Sequence, residues 1–179
     1  MKRSLAFLSL IILMAFTLGC QDQQALAELE EMKVQAEVEE QNKEMVVRLY
    51  ENIDKQKFEE ALAAFAPDAK MYGFGGNGPA NPQELRPIFP MWFTAFPDYT
   101  HHIHDVVTQG SKVVARIMYS GTHEGDFFGA PPTGEPIEYL GIHVHTIEDG
   151  KITESWVLED MLVLWQQLGM ELQPAAVEE

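Results

Sequence analysis

Among the 179 residues of this chain, six histidines and one cysteine carry the most specific chemistry. His143 and His145 sit two apart in a run whose apolar and polar residues alternate. An imidazole titrates near neutral pH, so either could act as a general base or acid in a pocket. The same spacing suits a solvated strand face, and both readings stand. Asp160 is the next acid with a plausible role. Its carboxylate could orient or activate a histidine, and His143 with Asp160 is the candidate catalytic pair. Asp160 also stands immediately before an apolar run starting at Met161, where an aspartate caps a helix without needing any other partner. His101, His102 and His104 lie near Asp105, and His102 and His104 could meet His123 around a transition metal. No cysteine or fixed carboxylate accompanies them, so no metal is expected.

The cysteine, Cys20, cannot form an intramolecular disulfide because it has no partner. The residues before it explain it. Lys2 and Arg3 precede a nearly unbroken apolar run from Leu5 to Leu18, shorter than the ~20 residues of a comfortable transmembrane helix and suited to a secretory signal. Phe16-Thr17-Leu18-Gly19-Cys20 resembles a lipobox, at which the signal is cut and the cysteine carries a lipid. The expectation is a signal peptide over residues 1–19, lipidation at Cys20, and a periplasm-facing position in a bacterial cell envelope. Gln21, rather than Asp, after the cysteine slightly favours the outer membrane. The membrane is then met through a lipid anchor.

The formal charge is −16, and removing residues 1–19 takes away Lys2 and Arg3 and no acid, which leaves −18. Such a surface repels phosphate backbones, and no basic patch offsets it, so nucleic acid is excluded as a partner.

Residues 20–41 read as a tether and solvated helical spacer, rich in Glu, Gln and Ala. The thin stripe of Leu26, Leu29 and Met32 also leaves a short dimerising coiled coil open. A globular domain over residues 42–172 follows, and residues 173–179 read as a flexible tail. Met45, Val46, Leu49, Tyr50 and Ile53 define an amphipathic helix. A second helix is expected from Lys57 to about Phe65, ended by Ala66-Pro67-Asp68. Tyr72 to Pro82 reads as a glycine-rich loop, and Asn81 should cap a third helix with Pro82 at its first position. Pro87 and Pro90 should shorten or break that helix, ahead of an apolar cluster with Trp92 and Phe96. From Pro97 onward the pattern is strand-like. His102, His104 and Val106 alternate with Ile103, Asp105 and Val107. Lys112 to Tyr119 continues, and strands 137–147 and 151–158 flank Glu148-Asp149-Gly150. Helices first and antiparallel strands after define an α+β fold.

Several segments carry a family resemblance. They are Phe96-Pro97-Asp98, the run from Gly121-Thr122-His123 through Pro131-Pro132-Thr133-Gly134, the Asp149-Gly150-Lys151-Ile152 hairpin, Trp156, and Gln166-Gln167-Leu168-Gly169. Together they make residues 42–170 similar to the SnoaL-like polyketide cyclase family, within the NTF2-like, ketosteroid-isomerase-like superfamily. The resemblance implies a cone: a curved antiparallel sheet wrapped over N-terminal helices, enclosing an apolar pocket. It implies an intramolecular aldol closure that uses a buried carboxylate and no metal or cofactor.

Carried over by the resemblance, the family's acid–base aspartate falls at Val157, a glutamine position at Gly141 and an asparagine position at Met71. The family histidine is kept as His143. Valine cannot move a proton, so the carboxylate mechanism needs another acid, and catalysis stays open. A three-residue hairpin loop pairing 147 with 151 would put Tyr139, His143, His145, Ser155 and Val157 on one face. A two-residue turn would set Trp156 opposite His143. Leu140, Ile142, Val144, Ile152, Trp156 and Leu158 would share the other face, apolar enough to meet helices or a partner subunit, so a homo-oligomer is one expectation. The expected pocket lining is Met71, Trp92, Phe96, Tyr119, Tyr139, Gly141, His145 and Val157. Three functions compete: a cofactor-free enzyme acting on a small apolar carbonyl compound, a module that captures a small apolar molecule, and an assembly module of the envelope. Tyr72, Trp92, Phe93, Phe96 and Tyr119 serve equally as core.

Overall fold

The computed structural model describes residues 2–74 and 78–171, with side chains from residue 23 onward. The side chain of Cys20, the loop residues Gly75 and Gly76, and the tail over residues 173–179 lie outside the described residues. The chain divides into two units, Met1–Glu39 and Glu40–Glu179. In the first, the helical residues from Gln23 on are exposed, Leu26, Leu29 and Met32 included. Among the described residues no helix is long and apolar enough to cross a membrane.

The second unit contains the end of helix α1 (Lys2–Asp54), then α2 (Phe58–Leu62), β1 (Phe65–Tyr72), α3 (Pro82–Leu85) and α4 (Ile88–Ala95). Strands β2 (Thr100–Gln109), β3 (Lys112–Thr122), β4 (Pro136–Glu148) and β5 (Lys151–Glu159) follow, then α5 (Met161–Gln167). The five strands form one curved sheet in the order β1-β5-β4-β3-β2, antiparallel except that β1 runs parallel to β5. This is the expected α+β cone, with Val46, Leu49, Tyr50 and Ile53 of α1 in the core.

Strand β1 replaces the expected helix end and loop. Helix α2 stops at Leu62, and Phe65, Ala69 and Met71 turn inward from an edge strand. Pro67 is tolerated there because an edge strand need not donate every ladder hydrogen bond. Pairing with β5 is correspondingly irregular between Phe65 and Lys70. Asn81 caps α3 as expected. Its side chain accepts from Gln83 N–H at 3.0 Å, Glu84 returns a bond to Asn81 N–H at 2.7 Å, and Pro82 stands at the start. Pro87 separates α3 from α4.

Two bulges reassign faces that alternation alone predicts wrongly. In β2, Ile103 pairs Ile117 while Asp105 pairs Arg116, so His104 is the extra residue. Val106 therefore turns toward the core and Val107 stays 63% exposed. In β5 the turn is two residues, Asp149 and Gly150, both with positive φ, and Glu148 pairs Lys151. The expected 147–151 pairing is not formed. Thr153 then bulges, since Ile147 pairs Ile152 but Thr146 pairs Glu154. That one residue restores the parity a two-residue turn would have lost. His143 faces Val157 rather than Trp156, and Tyr139, His143, His145 and Ser155 are buried on one side. The correction falls on Ile152, which precedes the bulge and is fully buried in the core rather than on the outer face. Leu140, Ile142, Trp156 and Leu158 remain on that outer face, 45–74% exposed, with Trp156 stacked on Tyr72.

Candidate active site

The inner face of the sheet, α1 and the short helices line a partly open pocket. Its walls are mostly apolar: Leu49, Ile53, Phe65, Met71, Trp92 and Val157 are among them. Its polar groups include Tyr50 of α1, Tyr99, His101 of β2, His143 and His145 of β4, and Ser155 and Glu159 of β5.

Strand parity delivers Glu159. Residues 155, 157 and 159 share the inward face beyond the Thr153 bulge, and Glu159 lies opposite Gly141. A Cβ at Gly141 would stand 2.7 Å from the Tyr119 ring and 3.2 Å from Glu159 Cγ. The missing side chain is thus the space in which Tyr119 and Glu159 meet. Glu159 Oε1 is 3.4 Å from His143 Nε2, and the Tyr119 hydroxyl bonds His143 Nε2 at 2.7 Å. The Tyr50 hydroxyl bridges His143 Nδ1 at 2.8 Å and His145 Nε2 at 2.9 Å.

These contacts have one consistent direction. Burial, with the Glu159 charge second, raises Tyr50 and Tyr119 well above the ordinary phenol range, so each hydroxyl has one proton to give. A carboxylate only accepts, so Glu159 beside Nε2 favours the tautomer with the His143 proton there, and the Tyr119 oxygen accepts from it. His143 Nδ1 is then a lone pair and accepts from Tyr50. Tyr50 in turn accepts from His145 Nε2–H. His145 is left with a bare Nδ1, a buried atom with no hydrogen-bond partner. Burial, then the neighbouring His143, lowers its pKa to about 3, which keeps it neutral. The array is a hydrogen-bonded chain with a carboxylate beside it.

The expected site residues divide. Met71, Trp92, His143, His145 and Val157 line the pocket. Tyr119 stands behind His143, and Gly141 makes room for it. Tyr139 is buried deeper, hydrogen-bonded to Tyr99, and Phe96 packs against His123 and Phe127 away from the cavity. Asp160 points elsewhere: it is exposed and accepts from Val163 N–H at 3.1 Å, capping α5. The acid that reaches His143 is its neighbour Glu159, which the sequence reading passed over although it shares the strand parity of Ser155 and Val157. His102 bonds Ser120, His104 is the exposed bulge residue, and His123 is fully buried, accepting from Thr133 N–H. His123 also exchanges backbone bonds with Gly134 and Glu135, so it pins the glycine–proline loop. Among the described residues no cluster of three or more His, Cys, Asp or Glu is placed to hold a metal.

A family model described as SnoaL-like polyketide cyclase matches residues 44–168. Among solved structures, IdmH, a candidate polyketide cyclase from Streptomyces antibioticus, is 29% identical with a TM-score of 0.65. The match covers 72% of this chain and 99% of that one. A candidate polyketide cyclase from Bacillus cereus is 28% identical with a TM-score of 0.62, covering 72% and 80%. AclR, a candidate hydroxylase from Streptomyces galilaeus, is 21% identical with a TM-score of 0.68, covering 76% and 87%, and speaks for the fold alone. A search of curated protein sequences found no match.

Proposed function

Given that this chain belongs to the SnoaL-like polyketide cyclase family, we propose that its pocket binds a small apolar carbonyl compound and moves a proton at the carbon beside the carbonyl. Glu159 is the base. The single observation that carries this reading is the Glu159 carboxylate in an apolar pocket, held by the His143–Tyr119–Tyr50 array. It supplies, one pair of residues along β5, the acid that Val157 lacks. The proton goes to Glu159, the C–H electron pair forms the carbon–carbon double bond, and the carbonyl π pair moves onto oxygen, giving the enolate. In a cyclase that enolate attacks a second carbonyl of the same molecule. Exclusion of water favours the transfer by leaving the charge to fixed dipoles. A pocket that holds the compound without reacting it is the capture alternative.

The test uses 2-tetralone, an apolar bicyclic ketone with an acidic α-hydrogen, in D₂O. The protein should accelerate deuterium uptake above the buffer rate, read by mass spectrometry. Binding without acceleration leaves capture, and neither binding nor acceleration removes the small-molecule reading.

The reading extends to the envelope on the strength of Lys2-Arg3, the Leu5–Leu18 run and Gly19-Cys20. Cells fed an alkyne fatty acid should label the protein, and Cys20→Ser should abolish labelling. An unlabelled wild type that keeps residues 2–19 would refute the anchor.

One observation favours an assembly role beside this one: the exposed Leu140, Ile142, Trp156 and Leu158. Contiguous apolar surface of this kind marks contact sites. The occupant proposed is a second copy of this chain. Sedimentation should show a dimer that Trp156→Glu dissociates, and a monomeric wild type at micromolar concentration contradicts it.

A further inference from the structure

A second carboxylate–imidazole pair reaches the same pocket through its imidazole, His101. Asp54 ends α1, and His101 is the second residue of β2. Asp54 Oδ1 lies 2.5 Å from His101 Nδ1, and the two carboxylate oxygens receive His101 backbone N–H at 3.2 and 3.3 Å. The carboxylate therefore grips both the ring and the strand that carries it. The His101 side chain is only 7% exposed and that of Asp54 24%. The ring is edge-on to Tyr99 and Tyr119, with centroids 5.3 and 5.1 Å away. Tyr50, at 5.3 Å from His101 and 5.7 Å from His143, stands between the two imidazoles.

Helix capping does not account for this pair, since Asp54 is at the C-terminal end of its helix, where a negative charge is unfavourable. A carboxylate on Nδ1 selects the tautomer with its proton there and leaves Nε2 as a lone pair. His101 lines the pocket, and no hydrogen bond to its Nε2 is present among the described residues. His145 differs: its unpartnered nitrogen is sealed and its other nitrogen is committed to Tyr50.

We propose that His101, oriented by Asp54, is a second proton acceptor of this pocket and receives the hydroxyl group of the bound compound. This rests on the reading that the pocket takes a small apolar carbonyl compound, and it narrows the class to ring compounds that also carry an alcohol, enol or phenol. In a transfer step the ligand O–H bond breaks and its electron pair stays on oxygen. A new N–H bond forms at Nε2, and the charge on the imidazolium is offset by Asp54. Glu159 and His101 then serve two different positions of one molecule. His101 touches the ligand, and Asp54 is a positioning residue.

The test compares 2-naphthol with naphthalene, which has the same rings and no hydroxyl, by fluorescence titration of the full chain. Wild type should prefer 2-naphthol by about tenfold, the worth of one net hydrogen bond. His101→Phe should reduce that preference to within about twofold while keeping naphthalene affinity, and Glu159→Gln should keep most of it. In wild type, ¹⁵N NMR should show His101 Nε2 as the bare nitrogen and Nδ1 as the protonated one, with Nε2 shifting when 2-naphthol is added. Asp54→Asn should mix the two tautomers, a signature that loss of packing alone does not produce. Naphthalene binding with no preference for 2-naphthol, a preference that survives His101→Phe, or a protonated Nε2 in the free protein overturns the proposal alone. Failure of wild type to bind either compound overturns the pocket reading with it.

Discussion

Glu159→Gln lowers deuterium uptake by 2-tetralone by about 10²–10⁴-fold, the usual worth of one positioned general base. The amide has the shape of the carboxylate and still offers an oxygen beside His143 Nε2, so the Tyr119–His143–Tyr50 chain keeps its direction. It cannot take a proton from carbon. The 2-tetralone dissociation constant should therefore stay within about threefold while the exchange rate falls, and that split separates lost chemistry from lost packing. Glutamine matches glutamate in size, so the space that Gly141 leaves for this side chain is kept. An unchanged exchange rate in Glu159→Gln would remove Glu159 as the base and shift attention to His143, the imidazole beside it.

The second large effect is on stability against acid. His145 has a folded pKa of about 3 against 6.5 in the unfolded chain, chiefly because burial disfavours the imidazolium. Between those values the unfolded chain binds a proton that the folded chain refuses. Stability therefore rises with pH across this window and falls as pH is lowered through it, by about 1.4 kcal/mol per unit. At pH 7 the penalty is absent, and by pH 4 it reaches a few kcal/mol, a large share of a small domain's margin. Asp98, held below its ordinary 3.8 by Thr122 backbone N–H, adds an acid limb only beneath that value, and its exposure makes the contribution small. The urea midpoint should fall steeply from pH 6.5 to 4. His145→Gln can still donate to Tyr50 but does not titrate, so its slope in that interval should be flatter. Parallel slopes for the two proteins would show that His145 is not the group responsible.

Much of this was legible before any coordinates. The alternation from Ile137 to Ile147 puts Tyr139, His143 and His145 on one face because a strand's side chains have a period of two. Asn81-Pro82 and Glu84 spell a helix start in three residues, and the segments from Gly121 to Gly134 carry the family. Strand β1 was not legible. Phe65-Ala66-Pro67-Asp68-Ala69-Lys70-Met71-Tyr72 has a proline and no clean alternation, and it becomes a strand only because the edge of β5 is there to pair with it. Propensity for strand is largely a property of the surface a segment lands on.

The site divides along the same line. Sequence alone put His143, His145 and Val157 on one strand face, marked Val157 by resemblance as the loss of the family's carboxylate, and made Asp160 a cap candidate; it left open whether that face meets the interior. Tertiary structure decided which acid stands beside His143 and which second carboxylate–imidazole pair forms. Glu159 reaches His143 because the Thr153 bulge, with the glycine at 141, sets both its face and its room. Asp54 meets His101 across 47 residues because α1 ends beside the start of β2. Local periodicity records which side of an element is apolar. A bulge, or a contact between distant elements, is chosen by the fit of the whole core, and no short window of residues contains that information.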